Sequence, residues 1–224
     1  MSPSGKTTRE TFTLKQLVNP TEAQLRRAGR LTYELMSKDP ALISLCGGDP
    51  DLMEPLGLAM VRAGALEGEF YAAVDGSDDI LGFVMTMPKG KVLFSTEEQK
   101  KLGFYDFMSR LSEAGKRYYA DTYLKIFPQY VASCIAPLTM VDIWWIHTCM
   151  TRVESQGQGI ASGLIRMILD KALAAGDVIG LSTTTEVNVR IYESMGFKVI
   201  GHRGCPSPWG DWEFWVLRYE PTQS

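Results

Sequence analysis

Histidine and cysteine are scarce in this sequence of 224 residues. The only histidines are His147 and His202, and the four cysteines stand far apart, at positions 46, 134, 149 and 205. A structural zinc site needs four such ligands at characteristic spacings, so the sequence argues against a resident metal. Scattered cysteines without a pairing pattern are typical of reduced thiols, and we expect an intracellular, cytoplasmic protein.

An excess of positive charge and long apolar runs are also missing. The net charge is −3 and the sequence pI is about 5.5, whereas binders of nucleic acid or anionic membranes need clustered positive charge. No apolar run approaches the roughly 20 residues of a spanning helix, and the first ten residues lack the apolar core of a signal peptide. We therefore expect neither nucleic acid nor a membrane as partner. Any anionic ligand must be held locally, by a few side chains or backbone amides.

Apolar residues make up 45% of the chain, enough for one core, and no polar or proline-rich stretch interrupts it. A single domain over residues 1–224 is expected. The apolar pattern predicts the order β-α-α-β-β-insert-β-α-β-α-β-β, which is an α/β fold with a mixed sheet. The insert, at about residues 88–138, holds many aromatic residues among helix formers. We expect two or three helices there, which either pack into the core or line a substrate pocket.

Individual elements follow from local patterns. Alternating or β-branched segments predict strands at Arg9–Val18, Glu69–Val74, Ile80–Met87, Met140–Met150, Val178–Leu181, Phe197–Gly201 and Trp212–Arg218. Helical spacing predicts helices from Asn19-Pro20-Thr21-Glu22 onward and at Leu52–Leu66, Ile160–Ala175 and Glu186–Met195. Trp144 and Trp145 are expected on opposite faces of the central strand. One of them would pack in the core and the other would be free to line an acceptor site.

A glycine-containing loop, Gln156-Gly-Gln-Gly-Ile-Ala161, separates the central strand from a helix. Glycines permit a tight turn and a close approach to a ligand, and the first amides of a helix have no intrahelical partner, so the loop suits a phosphate group. The spacing of its glycines also resembles a dinucleotide-binding loop, with Asp177 as the ribose-binding acid. The placement argues against that alternative, because Asp177 precedes the next strand. Too little chain also follows the loop for the second half of a doubly wound fold.

A second segment downstream separates the two interpretations. Gln156-x-x-Gly159-x-Ala161 resembles the Q/R-x-x-G-x-G/A motif of the GNAT superfamily of acetyltransferases. Asn188-Val-Arg-Ile-Tyr192-Glu-Ser-Met-Gly196-Phe197 resembles that family's N-x-x-x-x-Y-E-x-x-G-F segment, with one residue fewer. The resemblance covers roughly residues 140–204 and is closest to fungal small-molecule acetyltransferases, which often carry a helical insert before the central strand. It departs from the family at Val153, where a proline often precedes the loop.

The resemblance implies the GNAT fold, in which the central strand splays from the next strand, and acetyl-CoA as co-substrate. The pantetheine arm would pair with the central strand like an added strand, on the backbone of Cys149, Met150 and Thr151. The pyrophosphate would bind the amides of the loop and the first helical turn, which belong to Gln156, Gly157, Gln158, Gly159, Ile160, Ala161 and Ser162. Asn188 would touch the cofactor where the strands part, or would only be a polar residue at the start of its helix.

The resemblance also implies that Tyr192 is the general acid. The departing CoA thiolate needs a proton or a strong hydrogen bond, and a phenol positioned by a helix can supply either. The alternative is a core aromatic side chain whose hydroxyl is hydrogen-bonded.

Three residues are candidates for the general base: His147, Asp142 and Glu186. His147 stands two residues before Cys149, so strand alternation places both side chains on one face, and its ordinary pKa of ~6.5 suits proton abstraction near neutral pH. A buried, hydrogen-bonded histidine is the structural alternative, and Asp142 or Glu186 are the other candidate bases. His202 is expected at the surface or in a turn.

Together these features predict direct transfer of an acetyl group from acetyl-CoA to a primary amine of a small molecule, without a covalent enzyme intermediate. A peptide or protein N-acetyltransferase is the nearest alternative within the family, and a non-catalytic acyl-CoA-binding module is the alternative outside catalysis. A homodimer is a further expectation, because the family often dimerises.

Overall fold

The computed structural model describes residues 11–221, which form a sheet flanked by helices. The strands are β1 (Thr13–Gln16), β2 (Glu69–Val74), β3 (Ile80–Met87), β4 (Trp144–Thr151), β5 (Ile179–Thr183), β6 (Lys198–Cys205) and β7 (Trp212–Tyr219). Their order in the sheet is β1-β2-β3-β4-β5-β7-β6. All neighbours are antiparallel except β4 and β5, which run parallel. The predicted α/β fold with a mixed sheet is confirmed.

The described residues form nine α-helices. They are α1 (Glu22–Met36), α2 (Pro40–Leu45), α3 (Met53–Glu67), α4 (Glu97–Lys101), α5 (Phe104–Arg110), α6 (Glu113–Tyr118), α7 (Leu124–Ile135), α8 (Ile160–Ala174) and α9 (Glu186–Ser194). A π-helical turn joins α6 to α7, and short 3-10 turns lie before α3 and after β4.

Sequence patterns located most of these elements, with four corrections. The helix α1 begins with Thr21 as its cap and not at Asn19: the Thr21 hydroxyl accepts from the Gln24 amide at 3.3 Å and the Gln24 side chain accepts from the Thr21 amide at 2.9 Å, a capping box. The six-residue helix α2 was not predicted, and the insert holds four helices where two or three were expected. The first strand is shorter than Arg9–Val18, whose first two residues lie outside the described part.

Helices cover both faces of the sheet. We call the side under α8 and α9 the α8 face, where Trp144, Ile146 and Leu181 pack against α8. We call the other side the α1 face, where Met85 packs among residues of α1 and α3 and Trp145 packs with α2 and α7. The two tryptophans thus lie on opposite faces, as predicted. Both are buried in the core, with 6% and 3% of their surface exposed.

The aromatic insert packs into the core. Its rings contact one another in a continuous series and end against strand β7. The members of the series are Phe104, Phe107, Tyr119, Tyr123, Phe127 and Phe214. Tyr105, another aromatic residue of the insert, is exposed, and its hydroxyl donates to the Glu97 carboxylate. The insert therefore contributes its rings to the core beneath the α1 face.

Candidate active site

Strands β4 and β5 part in the middle of the sheet. They pair only at Trp144–Ile146, and beyond that point Ser182 and Thr183 pair with β7 alone. We call the opening the β4–β5 gap; it is bounded by residues 147–151 on one side and 182–184 on the other. Within the described residues, the edge of β4 that faces the gap has no strand partner beyond Ile146. The expected splay is confirmed, and it exposes a row of backbone donors and acceptors to an extended ligand.

A β-bulge interrupts β4 at His147, where the gap begins. Ile146 pairs with Thr86 and Thr148 pairs with Met85, so two consecutive residues of β3 face three residues of β4. Cys149 accordingly packs on the α8 face together with Ile146, although unbroken alternation would place these two on opposite faces. His147 is the residue at the bulge, so the expectation that it shares a face with Cys149 stays a prediction.

The glycine loop at the end of β4 provides free amides. Gly157 and Gly159 have φ values of 73° and 84°, which only glycine adopts at low cost, and a Cβ at either would meet no atom within 4 Å. The first amide of the following helix to bond within the chain is that of Gly163, which donates to the Gly159 carbonyl at 2.9 Å. The backbone amides of Ile160, Ala161 and Ser162 come before Gly163 in the first turn of the helix. Such amides lack an intrahelical acceptor and are suited to bind an anion.

Two glutamines brace this loop from within. The Gln156 side chain donates to the Thr151 carbonyl at 3.0 Å, and the Gln158 side chain donates to the Glu154 carbonyl at 3.5 Å. The buried atoms Gln158 Oε1 and Thr151 Oγ1 have no hydrogen-bond partner within the described residues. Buried polar atoms are normally paired. The Thr151 hydroxyl is able to donate to an anionic ligand, whereas Gln158 Oε1 only accepts and would need a donor group of the ligand.

Tyr192 reaches the gap from α9. Its ring packs edge-on against Phe197, with 5.8 Å between ring centres, and its hydroxyl lies near enough to the Cys149 thiol for each group to affect the pKa of the other. Burial raises the pKa of Tyr192 well above its usual range, and the nearby Cys149 adds to that shift. Burial also raises the pKa of Cys149 to about 12. Both groups therefore keep their protons at neutral pH, so Tyr192 is able to donate one and Cys149 is a poor nucleophile.

The surroundings of His147 make it a weaker base than a histidine in water. Its Nε2 atom is buried and has no hydrogen-bond partner within the described residues. Burial lowers the pKa of His147 to about 4, because a charged imidazolium is costly away from water. The ordinary value expected from the sequence does not hold, and the imidazole is neutral at pH 7.

The other candidate bases are each engaged by a neighbouring side chain. Asp142 stands before β4, where Oδ2 accepts from the Thr139 hydroxyl at 2.6 Å, and that bond lowers the pKa of its carboxyl. Glu186 is exposed at the start of α9, 3.5 Å from Arg190. Asp142 is thus held by a local turn and Glu186 by a solvated ion pair.

The remaining predicted polar residues lie at the surface. Asn188 is exposed in the first turn of α9, and its backbone amide donates to the Thr185 hydroxyl at 3.3 Å. His202 lies in β6, stacked on Trp215 with 4.3 Å between ring centres and 3.5 Å from the Glu213 carboxylate. The surface position of His202 was expected, although it belongs to a strand and not to a turn.

Asp177, the acid of the dinucleotide alternative, has a structural role. It accepts from Trp144 Nε1 at 3.1 Å and from Lys89 at 3.0 Å. It stands before β5, away from the glycine loop at the other end of β4. The geometry therefore removes it as a ribose-binding residue.

One contact beside the gap was not predicted at all. Thr184, just after β5, donates to the Asp39 carboxylate at 2.6 Å across 145 positions of sequence. The only local signal was the Asp-Pro pair, which is typical of a helix start. Sequence patterns do not reveal which distant strand end such a cap will meet.

Other surfaces of the described residues offer less chemistry. A cavity of about 410 Å³ lies over α1, α3 and α5, and none of its lining residues belongs to β4, β5, α8 or α9. Residues 11–221 contain no group of three or more His, Cys, Asp or Glu side chains placed to hold a metal. Nor does any helix in that range have the length and apolarity to cross a membrane. The β4–β5 gap is thus the best-equipped candidate site.

Solved structures with this fold include several acetyltransferases. A mosquito arylalkylamine N-acetyltransferase like 5b is 11% identical, with TM-score 0.64 and coverage of 94% of this chain and 100% of that one. A Corynebacterium glutamicum protein described as histone acetyltransferase HPA2 and related acetyltransferase is 16% identical, with TM-score 0.61 and coverage of 96% and 98%. A Drosophila melanogaster polyamine N-acetyltransferase that forms N-acetylagmatine is 10% identical, with TM-score 0.60 and coverage of 94% and 100%. These likenesses concern the fold.

Comparison of the sequence with known families gives information beyond the fold. No curated protein matches the chain. The model of the family described as acetyltransferase (GNAT) matches residues 47–197, which is more than half of the chain and includes the gap, the glycine loop and Tyr192. The chain therefore belongs to the GNAT family of acetyltransferases.

Proposed function

We propose that this acetyltransferase moves an acetyl group from acetyl-CoA directly to a primary amine of a small molecule. The observation that carries the proposal is the β4–β5 gap, which has the glycine loop at one end and the Tyr192–Cys149 contact inside it. Acetyl-CoA is the usual acetyl donor of the family. A homodimer, a cytoplasmic location and a particular likeness to fungal enzymes stay predictions.

The backbone is proposed to hold the donor. The amides from Gln156 to Ser162 would bind the pyrophosphate, since the first helical turn lacks intrahelical acceptors and the helix dipole favours negative charge there. The free edge of β4 at Cys149, Met150 and Thr151 would pair with the pantetheine arm, as a peptide pairs with an exposed strand. Asn188 would contact the arm from α9. Fixed amides explain how a chain of net charge −3 would bind a polyanion.

Tyr192 is proposed to assist the departure of sulfur. The amine nitrogen forms a bond to the thioester carbon as the carbon–sulfur bond breaks, and the sulfur leaves with the bonding electron pair. Tyr192 gives its proton to that sulfur, and the proton lost by the amine restores the phenol. Its raised pKa keeps the hydroxyl protonated until then. Proximity of the two reactants supplies much of the remaining rate.

An acceptor that arrives as an ammonium ion must lose one proton before it attacks, and His147 is proposed to receive that first proton. The second proton, lost as the new bond forms, is the one that restores the Tyr192 phenol. Its buried Nε2, which has no hydrogen-bond partner among residues 11–221, lies on the gap-lining half of β4. Because its pKa is about 4, the imidazole would pass the proton onward and not store it at neutral pH. Asp142 and Glu186 are weaker candidates, because each carboxylate is already engaged by a neighbouring side chain, that of Thr139 and of Arg190.

A small acceptor is favoured over a peptide by the loops on the α1 face. The start of α2 is bonded to the end of β5 through Asp39 and Thr184, 2.6 Å. The same helix is bonded to the loop between β6 and β7 through Ser44 and Ser207, also 2.6 Å. These ties join three segments that would have to separate to leave an open groove for a chain.

Binding of acetyl-CoA, measured by isothermal titration, tests the donor half of the proposal. Gly159→Asp places a carboxylate in the open space before α8, and we expect it to weaken binding about 100-fold through charge repulsion and left-handed strain. Gly176→Asp is the matched control, because Gly176 follows the other end of the same helix with φ 72° and equally open surroundings. Equal losses in both variants, or no micromolar binding by the wild type, would overturn the proposal.

Release of free CoA thiol tests the acceptor half. We expect turnover with simple primary amines and little with peptides of similar charge. Turnover restricted to peptides would favour the alternative of a protein N-acetyltransferase. Tight binding without turnover on any acceptor would favour a non-catalytic acyl-CoA-binding module.

A further inference from the structure

A carboxylate stands at the mouth of the β4–β5 gap. Asp39, in the turn between α1 and α2, accepts through Oδ2 from the hydroxyl of Thr184, which directly follows β5. The helix after Asp39 lies on the α1 face, since Ala41 packs in the same cluster as Trp145 and Val216. Asp39 therefore meets the gap on the face opposite to the glycine loop, which leads into α8.

This carboxylate is fixed in place but not neutralised by a cation. Oδ1 accepts from the amides of Ala41 at 2.8 Å and Leu42 at 3.2 Å, and Oδ2 accepts from Thr184. All three donors are uncharged, and Asp39 takes part in no ion pair among residues 11–221. An ionised carboxylate offers about four acceptor positions. One position thus remains for a further donor.

A buried hydroxyl on the same face points independently to a ligand. Thr148 lies on the free half of β4 and is only 8% exposed, yet its Oγ1 has no hydrogen-bond partner within the described residues. It pairs with Met85, whose side chain packs on the α1 face, and directly opposed residues of antiparallel strands share a face. An unpaired buried hydroxyl costs free energy, and a polar ligand entering from this face would offset that cost.

The positions of the proposed donor groups determine the direction from which the acceptor must come. The glycine loop opens α8, and Cys149, the partner of Tyr192, packs on the α8 face. A donor held by these groups fills the α8 side of the gap. An amine that attacks its thioester must then approach through the α1 side, past Thr148, Thr184 and Asp39.

We propose that Asp39 binds the positive charge of the acceptor, so that the enzyme selects amines that arrive as ammonium ions. Thr184 positions the carboxylate, and Thr148 contributes a hydroxyl to the same acceptor. The proposal rests on the proposed function and adds to it the acceptor side of the site. Uncharged amines of similar size make no ion pair with Asp39, so the enzyme binds them more weakly than ammonium ions.

Asp39→Asn tests this, because asparagine is as good a helix cap as aspartate and removes only the charge. The probes are 1,4-diaminobutane and 2-phenylethylamine, which are cationic at pH 7, and aniline, which is neutral. We expect KM for the two cationic amines to rise about 10- to 100-fold, the range of a lost hydrogen bond between charged groups. The KM for aniline and the Kd for acetyl-CoA should stay within about twofold.

Two further variants separate charge recognition from local folding. Asp49→Asn removes a carboxylate that caps the next turn of the chain, where it accepts from the Asp51 amide at 2.9 Å, and it should leave every KM unchanged. Thr184→Val keeps the Asp39 carboxylate but loosens it, and should raise KM for the cationic amines by less than Asp39→Asn does. Equal changes for aniline and the cationic amines in Asp39→Asn would overturn the proposal.

A binding measurement covers the case in which none of these amines is turned over. Titration of 1,4-diaminobutane and 2-phenylethylamine into the CoA-saturated protein should show binding by the wild type and a loss of it in Asp39→Asn. If the wild type binds neither cation while it still binds acetyl-CoA, the role of Asp39 is wrong and the donor half of the proposed function stands. Failure to bind acetyl-CoA would instead remove the proposed function itself.

Discussion

The two halves of strand β4 differ more than any two neighbouring segments of the sheet. The first half, Trp144–Ile146, is buried and pairs with β5 at all three residues, and Trp145 and Ile146 pair with β3 as well. The indole of Trp144 donates to Asp177. The second half, His147–Thr151, is paired on one edge only. It contains three of the four buried side-chain polar atoms without a partner among residues 11–221, on His147, Thr148 and Thr151.

This contrast shows how one strand serves both folding and function. Burying an unpaired polar group costs about 1–3 kcal/mol, and stability alone would place apolar side chains at such positions. Three of the four such atoms among residues 11–221 lie in the half of β4 that lines the gap, and the fourth, on Gln158, lies in the loop that follows; a bound ligand would supply the missing partners. The first half instead anchors the strand to both faces of the sheet. Substitutions in the first half should therefore affect stability, and those in the second half should affect function.

The largest expected effect belongs to the anchoring half. Trp144→Ala removes a ring that is 6% exposed, and should lower the free energy of unfolding by about 3–5 kcal/mol. Denaturant unfolding measures this loss. The Kd of the folded fraction for acetyl-CoA should change less than about threefold. A variant that keeps its stability but loses acetyl-CoA binding would contradict the division of β4 into two roles.

The next effect concerns the group that reaches the second half from α9. Tyr192→Phe keeps the ring against Phe197 and deletes only the hydroxyl, so we expect kcat to fall about 100-fold, which corresponds to about 2.7 kcal/mol. Thiol release at saturating acetyl-CoA measures it. Tyr219→Phe is the matched control, because Tyr219 packs on the same Phe197, with 5.5 Å between ring centres, but lies on β7. Unchanged turnover in Tyr192→Phe would return this tyrosine to a packing role.

Features of the site that neighbouring residues determine were predictable from the sequence, and features that distant residues determine were not. The glycine loop, helix α8 and the motif around Tyr192 are set by neighbouring residues, so local spacing was enough to find them. The bulge at His147 depends on the register against β3, and the low pKa of His147 depends on what packs over it. The Asp39–Thr184 bond joins two segments 145 positions apart. None of these three features leaves a local pattern to detect.

His147 gives the comparison a measurable pH dependence. In the unfolded chain its pKa returns to 6.5, whereas burial holds it at about 4 in the folded protein. The unfolded state therefore binds more protons between these values, and the folded state loses stability as pH falls from 6.5 to 4. We expect the wild type to lose about 2–3 kcal/mol over this range relative to His147→Gln. Denaturant unfolding at several pH values measures the difference.

His202→Gln serves as the control for that pH series, because His202 is largely exposed on β6, with 45% of its side-chain surface accessible. His202→Gln keeps His147, so it should keep the loss of stability between pH 6.5 and 4 that His147→Gln abolishes. If His147→Gln also follows the wild type, the imidazole of His147 titrates normally and is not buried as described.

The smallest effect compares two buried threonines that differ only in pairing. Thr148→Val removes an unpaired hydroxyl from the second half of β4, so the free energy of unfolding should rise by about 1 kcal/mol. Thr86→Val removes a hydroxyl that donates to the Trp145 carbonyl at 3.0 Å, and the same substitution should lower it by about 1 kcal/mol. Denaturant midpoints of the two variants should thus move in opposite directions. If both variants lose stability equally, the Thr148 hydroxyl has a hydrogen-bond partner in the free protein and is not available to a ligand.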